Sequence, residues 1–395
     1  MNICIVSSLK MGLVQGGIES VCYHLTRDII NRTEHHIYQL HLYKNNCPDI
    51  PELTTHHLIP VSETDAFIQE VRSFIEKYDI DIIWNHTMNI PLIQCLRKAV
   101  ESKKTKIVTV YHTAPNTALA ELREVYSQCI FKRDWKTYFR LLINYPRNLF
   151  GVYRRCRADL CKIAECSDCV CLLSKAYINE YKRLCLKNYR NLHSISNPIP
   201  NTPGTESIQV KKNQVLVVAR HEWKHKRLDR IISIWKSVEE IFPEWKLVIL
   251  GTGQAHNDFV NYAKEIGVKN VTFEGMVSPE PYYAESKIIC LTSGWEGLPM
   301  VLIEAQKYGC VPISYKSFAA LPDIIIDGKT GYMVPAFKKN QFVSKLTRLM
   351  THAPLLEEMA NNCIIHARNF SVETITTQWL KLFNHILHSN FENTP

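Results

Sequence analysis

Apolar and polar positions follow two patterns along this chain, and the two patterns alternate through each half of it. In the first half, short apolar runs predict strands at Ile3–Ser7, Ile37–Tyr43, Ile80–Asn85, Ile107–His112 and Val170–Ser174. Periodic segments between them predict helices at Gly17–Ile30, Asp65–Tyr78 and Ile90–Ser102. The second half repeats the alternation, with strands at Gln214–Ala219, Lys246–Leu250, Val271–Glu274, Ile288–Leu291 and Val311–Tyr315, and helices at Leu228–Ile241, Asp258–Ile266 and Met300–Tyr308. Continuous apolar strands that alternate with helices are typical of parallel sheets covered on both faces. We therefore expect an α/β protein with two doubly wound, Rossmann-like domains.

The border between the two domains is predicted in the segment 196–207, SNPIPNTPGTES, because it is rich in Pro, Asn, Gly and Ser. This gives an N-terminal domain over 1–198 and a C-terminal domain over 199–371. The remaining segment, 372–395, begins with an amphipathic stretch, Val372–Leu387, which predicts a C-terminal helix.

Composition and charge narrow the class of protein. The 395 residues are 46% hydrophobic and 22% charged, as in packed globular domains. No apolar run reaches the roughly 18 residues of a membrane span, and the N-terminal MNICIVSSLKMG lacks the order of regions in a signal peptide. We therefore expect a cytoplasmic protein. The net charge of +9 favours anionic partners, which are nucleotides, nucleic acids or acidic lipid surfaces.

The fourteen cysteines are expected to be free thiols in a reducing compartment. Cys166-x-x-Cys169 has the spacing of half a zinc site. However, Cys169 and Cys171 alternate within a predicted strand, and no clean second pair follows. We interpret these cysteines as small buried hydrophobic residues.

One segment, 131–157, interrupts the alternation of the first domain. Its basic residues are Lys132, Arg133, Lys136, Arg140, Arg147, Arg154, Arg155 and Arg157, and its acidic residue is Asp134. Trp, Tyr, Phe and Leu residues are interleaved with them, which is the composition of a helix that lies on an anionic membrane surface. The alternative is an ordinary solvated helical hairpin with extended basic side chains.

Loops that follow strands should carry the chemistry, because open α/β sheets bind ligands beyond the carboxyl ends of their strands. Gly16 and Gly17 open the first helix and would bring backbone N–H groups close to a ligand. Arg220 ends a strand, and Lys226 lies just before the next helix, so the two cations suit a diphosphate. Further glycines, Gly251 and Gly253, follow the next strand.

Two other motifs suggest metal sites. His221-Glu222-Trp223-Lys224-His225 fits the zinc-protease pattern H-E-x-x-H, but it lies between a strand and a helix, where the spacing has no helical meaning. Asp79-Ile80-Asp81 fits the Asp-x-Asp that many sugar transferases use to hold a divalent metal, but it lies at the wrong end of its strand. We therefore expect no bound metal.

Two glutamates stand eight positions apart in TSGWEGLPMVLIEAQKYG, residues 292–309. Glu296 lies on a turn after a predicted strand, and Glu304 lies within the following helix, where Pro299 fits the first turn. A carboxylate accepts two donors at once, which suits the vicinal hydroxyls of a sugar or a ribose. The alternative is that Glu296 interacts with the helix dipole and Glu304 is a surface carboxylate.

These residues together resemble the retaining glycosyltransferases of family four (glycosyl transferases group 1), which have the GT-B fold. The specific signal is Glu296-x7-Glu304, flanked by VTFEGMVSPEPYYAES, GCVPISY and DIIIDGKTGYMVP. Arg220 and Lys226 match the paired cations of the family. The glycine loop matches at Gly16-Gly17, and the histidine of the N-terminal domain matches at His112, which ends KIVTVYH. The resemblance covers nearly the whole chain and is strongest over 213–336.

The resemblance implies a fold, roles for residues and a mechanism. The two domains would face a cleft, and the C-terminal helix in 372–395 would pack back on the N-terminal domain. The nucleotide sugar would be bound by Gly16, Gly17, Arg220, Lys226, Gly251, Gly253, Met276, Glu296, Gly297, Leu298 and Glu304. Glu296, His112, Arg220 and Lys226 would be catalytic. Glu296 would contact the donor sugar and Glu304 the ribose, and no metal or other cofactor would be needed because the cations and the helix dipole stabilise the leaving diphosphate.

The resemblance also implies substrates and a location. The donor would be a UDP-hexose or UDP-N-acetylhexosamine, with GDP-mannose as an alternative, and the acceptor a bacterial surface polysaccharide or lipid-linked saccharide. The enzyme would be peripheral at the inner face of the cell membrane. Alternatives are a nucleotide-sugar-binding scaffold subunit without turnover, a zinc hydrolase and a nucleic-acid-binding protein. The last is disfavoured because the charges form no recognition motif.

Overall fold

The structure is a computed structural model that describes residues 1–12, 17–43, 47–48, 50, 52–58, 65–101, 103–131, 134–200 and 211–388. It separates into two compact units. Unit 1 consists of Met1–Asn116, Tyr153–Pro200 and Ser371–Pro395, and unit 2 consists of Thr117–Val152 and Asn201–Phe370.

The described residues up to 200 form seven strands and seven helices. The strands are β1 (Asn2–Leu9), β2 (His36–Tyr43), β3 (Thr54–His57), β4 (Ile82–Asn85), β5 (Lys106–Tyr111), β6 (Cys169–Leu172) and β7 (Leu192–Ser194). The helices are α1 (Gly17–Arg32), α2 (Asp65–Lys77), α3 (Ile90–Ala99), α4 (Thr117–Phe131), α5 (Trp135–Ile143), α6 (Tyr145–Cys166) and α7 (Lys175–Cys185). All seven strands belong to one parallel sheet of unit 1, in the order β3-β2-β1-β4-β5-β6-β7.

The described residues from 211 onward form a second sheet, the helices around it and the last helix, which belongs to unit 1. The strands are β8 (Lys212–Val218), β9 (Lys246–Leu250), β10 (Val271–Gly275), β11 (Ser286–Leu291), β12 (Val311–Lys316) and β13 (Tyr332–Pro335). The helices are α8 (Leu228–Lys236), α9 (His256–Glu265), α10 (Glu280–Glu285), α11 (Met300–Lys307), α12 (Leu321–Ile324), α13 (Lys339–Thr351), α14 (Ala353–Ala367) and α15 (Val372–His388), with a 3-10 turn at Arg368–Phe370 before the last. The sheet is parallel, in the order β10-β9-β8-β11-β12-β13.

Burial on both faces explains why the central strands consist of apolar residues. All four residues of β4 are buried, and β11 is buried at every position except Lys287. Helices cover both faces, as expected for parallel sheets connected through helical crossovers. In unit 1, α15 packs its Trp379 and Phe383 rings against Trp84 of β4, with centroids 4.8 and 5.2 Å apart.

The predicted strands and helices agree with the structure to within a few residues at most ends, and the expected pair of parallel sheets is confirmed. Several elements were missed. Strand β3 has the sequence TTHH, which carries no apolar pattern, and it pairs with β2 in parallel. Helix α8 ends at Lys236, before the predicted Ile241, because the chain turns at Ser237. The predicted linker lies outside the described residues over 201–207.

The division into units differs from the predicted domain borders at Thr117–Val152, which belongs to unit 2 although it lies within 1–198 of the chain. The physical reason is a set of polar contacts that α4 makes with the loops of the second sheet. Arg123 donates to the Gly294 carbonyl at 2.9 Å, and Glu124 accepts from Arg227 at 2.6 Å. Such long-range ionic contacts leave no periodic signal in the sequence.

Candidate functional site

Two loops of unit 2 meet beyond the carboxyl ends of neighbouring strands. Strands β8 and β11 pair in parallel, so the loops that follow them emerge at the same edge of the sheet. The backbone N–H of Gly294 donates to the His225 carbonyl at 2.8 Å, and the Thr292 hydroxyl donates to the Arg227 carbonyl at 3.2 Å. These bonds join the segment that carries Lys226 to the segment that carries Glu296.

Glu296 and Lys226 form a buried ion pair between these two loops. Lys226 Nζ donates to Glu296 Oε1 at 2.7 Å, and the two side chains are 15% and 7% exposed, respectively. His225 Nε2 lies 3.4 Å from Glu296 Oε2, and its ring stacks on Trp295 with centroids 4.7 Å apart. Burial alone would raise the pKa of the Glu296 carboxyl, but Lys226 and His225 outweigh it and hold that pKa well below its ordinary value. The carboxylate is therefore ionised at neutral pH.

The two predicted diphosphate cations have different surroundings. Arg220 follows β8 with a side chain that is 71% exposed, and its Nη1 lies 3.2 Å from Glu222. Lys226, in contrast, is largely shielded from solvent and pairs with Glu296. The sequence predicted both cations but not this pairing, because residues 70 positions apart come together only through the β8–β11 register.

Close backbone packing accounts for the two glycines after β9. Gly251 has φ of +108°, and a Cβ there would lie 2.1 Å from the Ala219 carbonyl oxygen. A Cβ at Gly253 would lie 2.6 Å from the carbonyl oxygen of His221. These glycines therefore allow the β9 loop to pack directly on the loop after β8. Met276 follows the neighbouring β10 and is 78% exposed.

Glu304 lies in the middle of α11 and is held by a tyrosine. Tyr283, a buried residue of α10, donates its hydroxyl to Glu304 Oε2 at 2.9 Å. Burial raises the pKa of the Glu304 carboxyl, Glu280 raises it further, and the Tyr283 hydrogen bond opposes both. This half-buried carboxylate, with one fixed partner, retains lone pairs for other donors.

The turn before α11 connects the two glutamates. Gly297 is partly buried and Leu298 is buried, and both follow Glu296 directly. Pro299 has φ of −74° and immediately precedes the helix, which begins at Met300. The predicted place of Pro299 inside the first turn is therefore wrong by one residue. The reason is its extended ψ of 90°, which is not helical.

His112 and Gly17 lie in unit 1. His112 follows β5, and its Nε2 lies 3.0 Å from Nδ1 of His86, which follows the neighbouring β4, with the rings stacked at 5.1 Å. Burial lowers the pKa of His112 to about 4 and that of His86 well below its ordinary value, so both rings are neutral at pH 7. Sequence reasoning missed His86, although its place at the end of IIWNH matches that of His112. Gly17 is the exposed first residue of α1, and Gly16 lies outside the described residues.

The motifs that suggested metal sites have other contacts. His221 and His225 lie in the turn between β8 and α8, as the sequence predicted, and they face different partners. His221 Nδ1 lies 3.0 Å from His256 Nδ1, whereas His225 stacks on Trp295. Asp81 accepts a hydrogen bond from the backbone of Asn2 at the amino end of β4. Within the ranges that the structure describes, no three His, Cys, Asp or Glu side chains are grouped to hold a metal ion, and the fourteen cysteines are free.

The part of the chain that carries these loops is similar to a known protein family. Residues 199–370 match the family described as glycosyl transferases group 1. The amylovoran biosynthesis glycosyltransferase AmsD of Erwinia amylovora is 31% identical over 178 residues, which are 44% of this chain and 49% of AmsD. A Campylobacter jejuni α-1,4-N-acetyl-D-galactosaminyltransferase, whose name gives a saccharide linked to diphosphoundecaprenol as its acceptor, is 29% identical over 173 residues, 44% of this chain and 48% of that protein. The chain thus spans about half the length of these relatives.

The fold is shared over a greater length than the sequence. The crystal structure of HepE from Anabaena in complex with UDP superimposes with a TM-score of 0.71 at 14% identity and covers 97% of this chain and 100% of that one. Together with the two parallel sheets, this likeness confirms the predicted GT-B fold.

Proposed function

We propose that this chain, whose residues 199–370 match the family described as glycosyl transferases group 1, transfers a hexose or N-acetylhexosamine from a UDP-sugar to a saccharide acceptor. The observation that carries the proposal is the buried Lys226–Glu296 pair at the joined ends of β8 and β11. An ammonium and a carboxylate held there suit a diphosphate and the hydroxyls of a sugar. We assign Glu304, on the following helix, to accept hydrogen bonds from a ribose.

The proposed reaction retains the configuration of the donor sugar. The bond between C1 and the diphosphate oxygen breaks, and the acceptor hydroxyl attacks C1 from the same face within a tight ion pair. The hydroxyl proton passes to the departing diphosphate, so that UDP leaves. Lys226 and Arg220 stabilise the negative charge on the diphosphate, and Glu296 with the turn at Gly297 and Leu298 holds the sugar.

His112 would act as a neutral hydrogen-bonding group in this scheme. Because its pKa is lowered to about 4, it supplies an N–H or a lone pair and not a positive charge at neutral pH. Its Nε2 is engaged with His86 Nδ1 at 3.0 Å, so one of the two neutral rings donates and the other accepts. We assign it to the donor sugar or the acceptor hydroxyl.

The names of the relatives support a bacterial polysaccharide or lipid-linked saccharide as the acceptor. AmsD is named for amylovoran biosynthesis, and the Campylobacter enzyme for a diphosphoundecaprenol-linked acceptor. HepE, which shares the fold, was crystallised with UDP. A scaffold subunit that binds nucleotide sugars without turnover is the second candidate. A zinc hydrolase is disfavoured because His221 and His225 face different partners.

Nucleotide binding should be independent of metal, since the described site offers cations and helix N–H groups to the diphosphate. In a thermal-shift panel run in EDTA, UDP and one or more UDP-sugars should raise the midpoint temperature of unfolding by several degrees. A ligand present at about 100 times its dissociation constant stabilises the folded state by roughly 2.7 kcal/mol. GDP-mannose, UDP-glucose and UDP-N-acetylhexosamines are compared side by side. A shift that requires added manganese or magnesium would contradict the proposal.

We further propose that α5 and the start of α6 bind an anionic membrane surface at the inner face of the cell membrane. Helix α5 has no buried residue among those described, and several of its exposed side chains are apolar. Ile143 is 81% exposed, Phe139 57% and Trp135 50%, and Phe150 of α6 is 67% exposed. Globular helices normally turn their apolar face inward.

The opposite side of α5 is the one that packs on the protein. The Tyr138 ring lies 6.4 Å from that of Tyr126 on α4, and the Tyr126 hydroxyl donates to the Leu141 carbonyl at 2.7 Å. The exposed Lys136 and Arg140 flank the outward apolar face. In this arrangement the basic side chains would contact anionic lipid headgroups, and the apolar side chains would insert between the lipids. None of the helices in the described ranges is both long and apolar enough to cross a bilayer.

Replacement of Lys136, Arg140 and Arg147 by Glu should reduce co-sedimentation with vesicles that contain acidic lipid. Each basic residue near such a surface contributes about 1 kcal/mol, so the triple change should lower binding by at least about a hundredfold. UDP affinity should not change. The matched control places Glu at the exposed Lys246, Lys264 and Lys269 of the same unit, with the same change in net charge. Equal binding of the unaltered protein to neutral and acidic vesicles, or binding to neither, would refute the membrane proposal.

A further inference from the structure

A buried cluster of two acids and two arginines lies beside the candidate site in unit 2. Glu124 of α4 is 1% exposed, and its Oε2 accepts hydrogen bonds from Arg227 Nη1 at 2.6 Å and Arg230 Nη2 at 2.8 Å. Arg227 also holds the Asp229 carboxylate through Nε and Nη2, at 2.9 and 2.8 Å. Two carboxylates thus balance two guanidinium groups away from water, and removal of one would leave an uncompensated buried charge.

The cluster fixes the backbone next to Lys226. Arg227 has φ of +50°, in the left-handed region that long side chains seldom adopt, and it lies immediately before α8. Its side chain is bound by Glu124 and Asp229, and its carbonyl accepts the Thr292 hydroxyl. The contacts of the side chain therefore hold a backbone conformation that local preference disfavours.

Helix α4, which carries Glu124, also reaches the loop that carries Glu296, and Arg230 of α8 reaches the same loop. Arg123 donates to the Gly294 carbonyl at 2.9 Å, and Arg230 donates to the Thr292 carbonyl at 3.2 Å. A Cβ added at Gly294 would lie 2.6 Å from Glu124 Cγ. The Glu124 side chain is therefore packed directly on the loop backbone, two residues before Glu296.

We propose that Glu124 is a positioning residue that holds the Lys226 and Glu296 loops together for sugar transfer. It touches neither substrate nor reacting atoms in this scheme. It acts through Arg227 on one loop and through Gly294 on the other. The inference rests on the proposed function, because it assigns a structural support to the same site.

The test is Glu124→Gln in the full chain, with Glu121→Gln as the matched control. Glu121 lies on the same helix, is 49% exposed and is 3.8 Å from Lys224, so its loss should leave turnover unchanged. Glu124→Gln should lower kcat by about tenfold or more, since a displacement near 1 Å can reduce turnover by up to about a hundredfold. The Kd for UDP should rise by a smaller factor than kcat falls, because only Lys226 is attached to the cluster, whereas Glu304 and Arg220 are held by Tyr283 and Glu222, outside it.

A second variant, Gly294→Ala, keeps every charge and forces the loop and Glu124 apart. It should reproduce the loss of kcat with a smaller loss of UDP affinity, and it carries the test if Glu124→Gln does not fold. Assays are run well below each thermal midpoint. A lower midpoint with unchanged kcat in these variants would overturn the inference and leave Glu124 a purely structural residue. An unaltered protein that transfers no sugar from any nucleotide sugar would instead overturn the proposed function, and this inference with it.

Discussion

Replacement of Glu296 by alanine is expected to lower sugar transfer at least tenfold while UDP remains bound. Each hydrogen bond from a sugar hydroxyl to this ionised carboxylate contributes about 1.5–3 kcal/mol, which exceeds a factor of ten in rate if it is made in the transition state. UDP affinity should persist because Lys226 Nζ, released from its 2.7 Å contact with Glu296, remains available to the diphosphate.

The variant should also be less stable, since removal of one partner from a buried ion pair costs about 3–5 kcal/mol. Turnover and UDP affinity are therefore measured below the thermal midpoint, by a coupled assay for released UDP and by calorimetry. Glu296→Gln is the matched control for shape: it keeps the side-chain volume and loses the charge. A loss of UDP affinity as large as that of the Glu304 variant would show that the two roles are assigned wrongly.

The second large effect is expected at Glu304, whose replacement by alanine should weaken UDP at least tenfold. The carboxylate is fixed by the Tyr283 hydroxyl and would accept from the ribose hydroxyls, which belong to UDP and UDP-sugar alike. Both ligands should therefore lose affinity by the same factor. The exposed Glu357 of α14, changed to alanine, serves as the control.

The pH dependence of UDP binding provides an independent check on Glu304. Its pKa is raised by burial and by Glu280, so the ionised, accepting form is lost as pH falls through a value above that of an ordinary glutamate. UDP affinity should therefore decrease as the pH falls through the pKa of Glu304. In the Glu304→Ala variant this decrease at acidic pH should be absent. An unchanged acidic limb in the variant would contradict the ribose assignment.

The fold could be predicted from the sequence because burial on both sheet faces forces continuous apolar strands, as in Ile288–Leu291 and Lys246–Leu250. Strand β3 was missed because TTHH carries no such pattern. The loops of the site were also predictable, since ligands bind beyond the carboxyl ends of parallel strands and Glu296 and Lys226 follow two of them.

The partners of the site residues were not predictable. Glu124 meets Arg227, 103 positions away in sequence, only because α4 lies against the loops that follow β8 and β11. His86 meets His112 only because β4 and β5 are neighbours in the first sheet. Sequence periodicity indicates which residues face a core, but it does not indicate which polar side chains meet across elements.

The most direct test of the account is the time course of UDP release from a panel of UDP-sugars in EDTA, with and without a lipid-linked saccharide acceptor. The account predicts slow release from at least one UDP-hexose or UDP-N-acetylhexosamine, acceleration by the acceptor, and a glycoside of the same anomeric configuration as the donor. It also predicts that Glu296→Ala reduces both rates. UDP-sugars that bind tightly, as judged by thermal shift, but release no UDP under any of these conditions would contradict it and would identify the protein as a binding subunit without turnover.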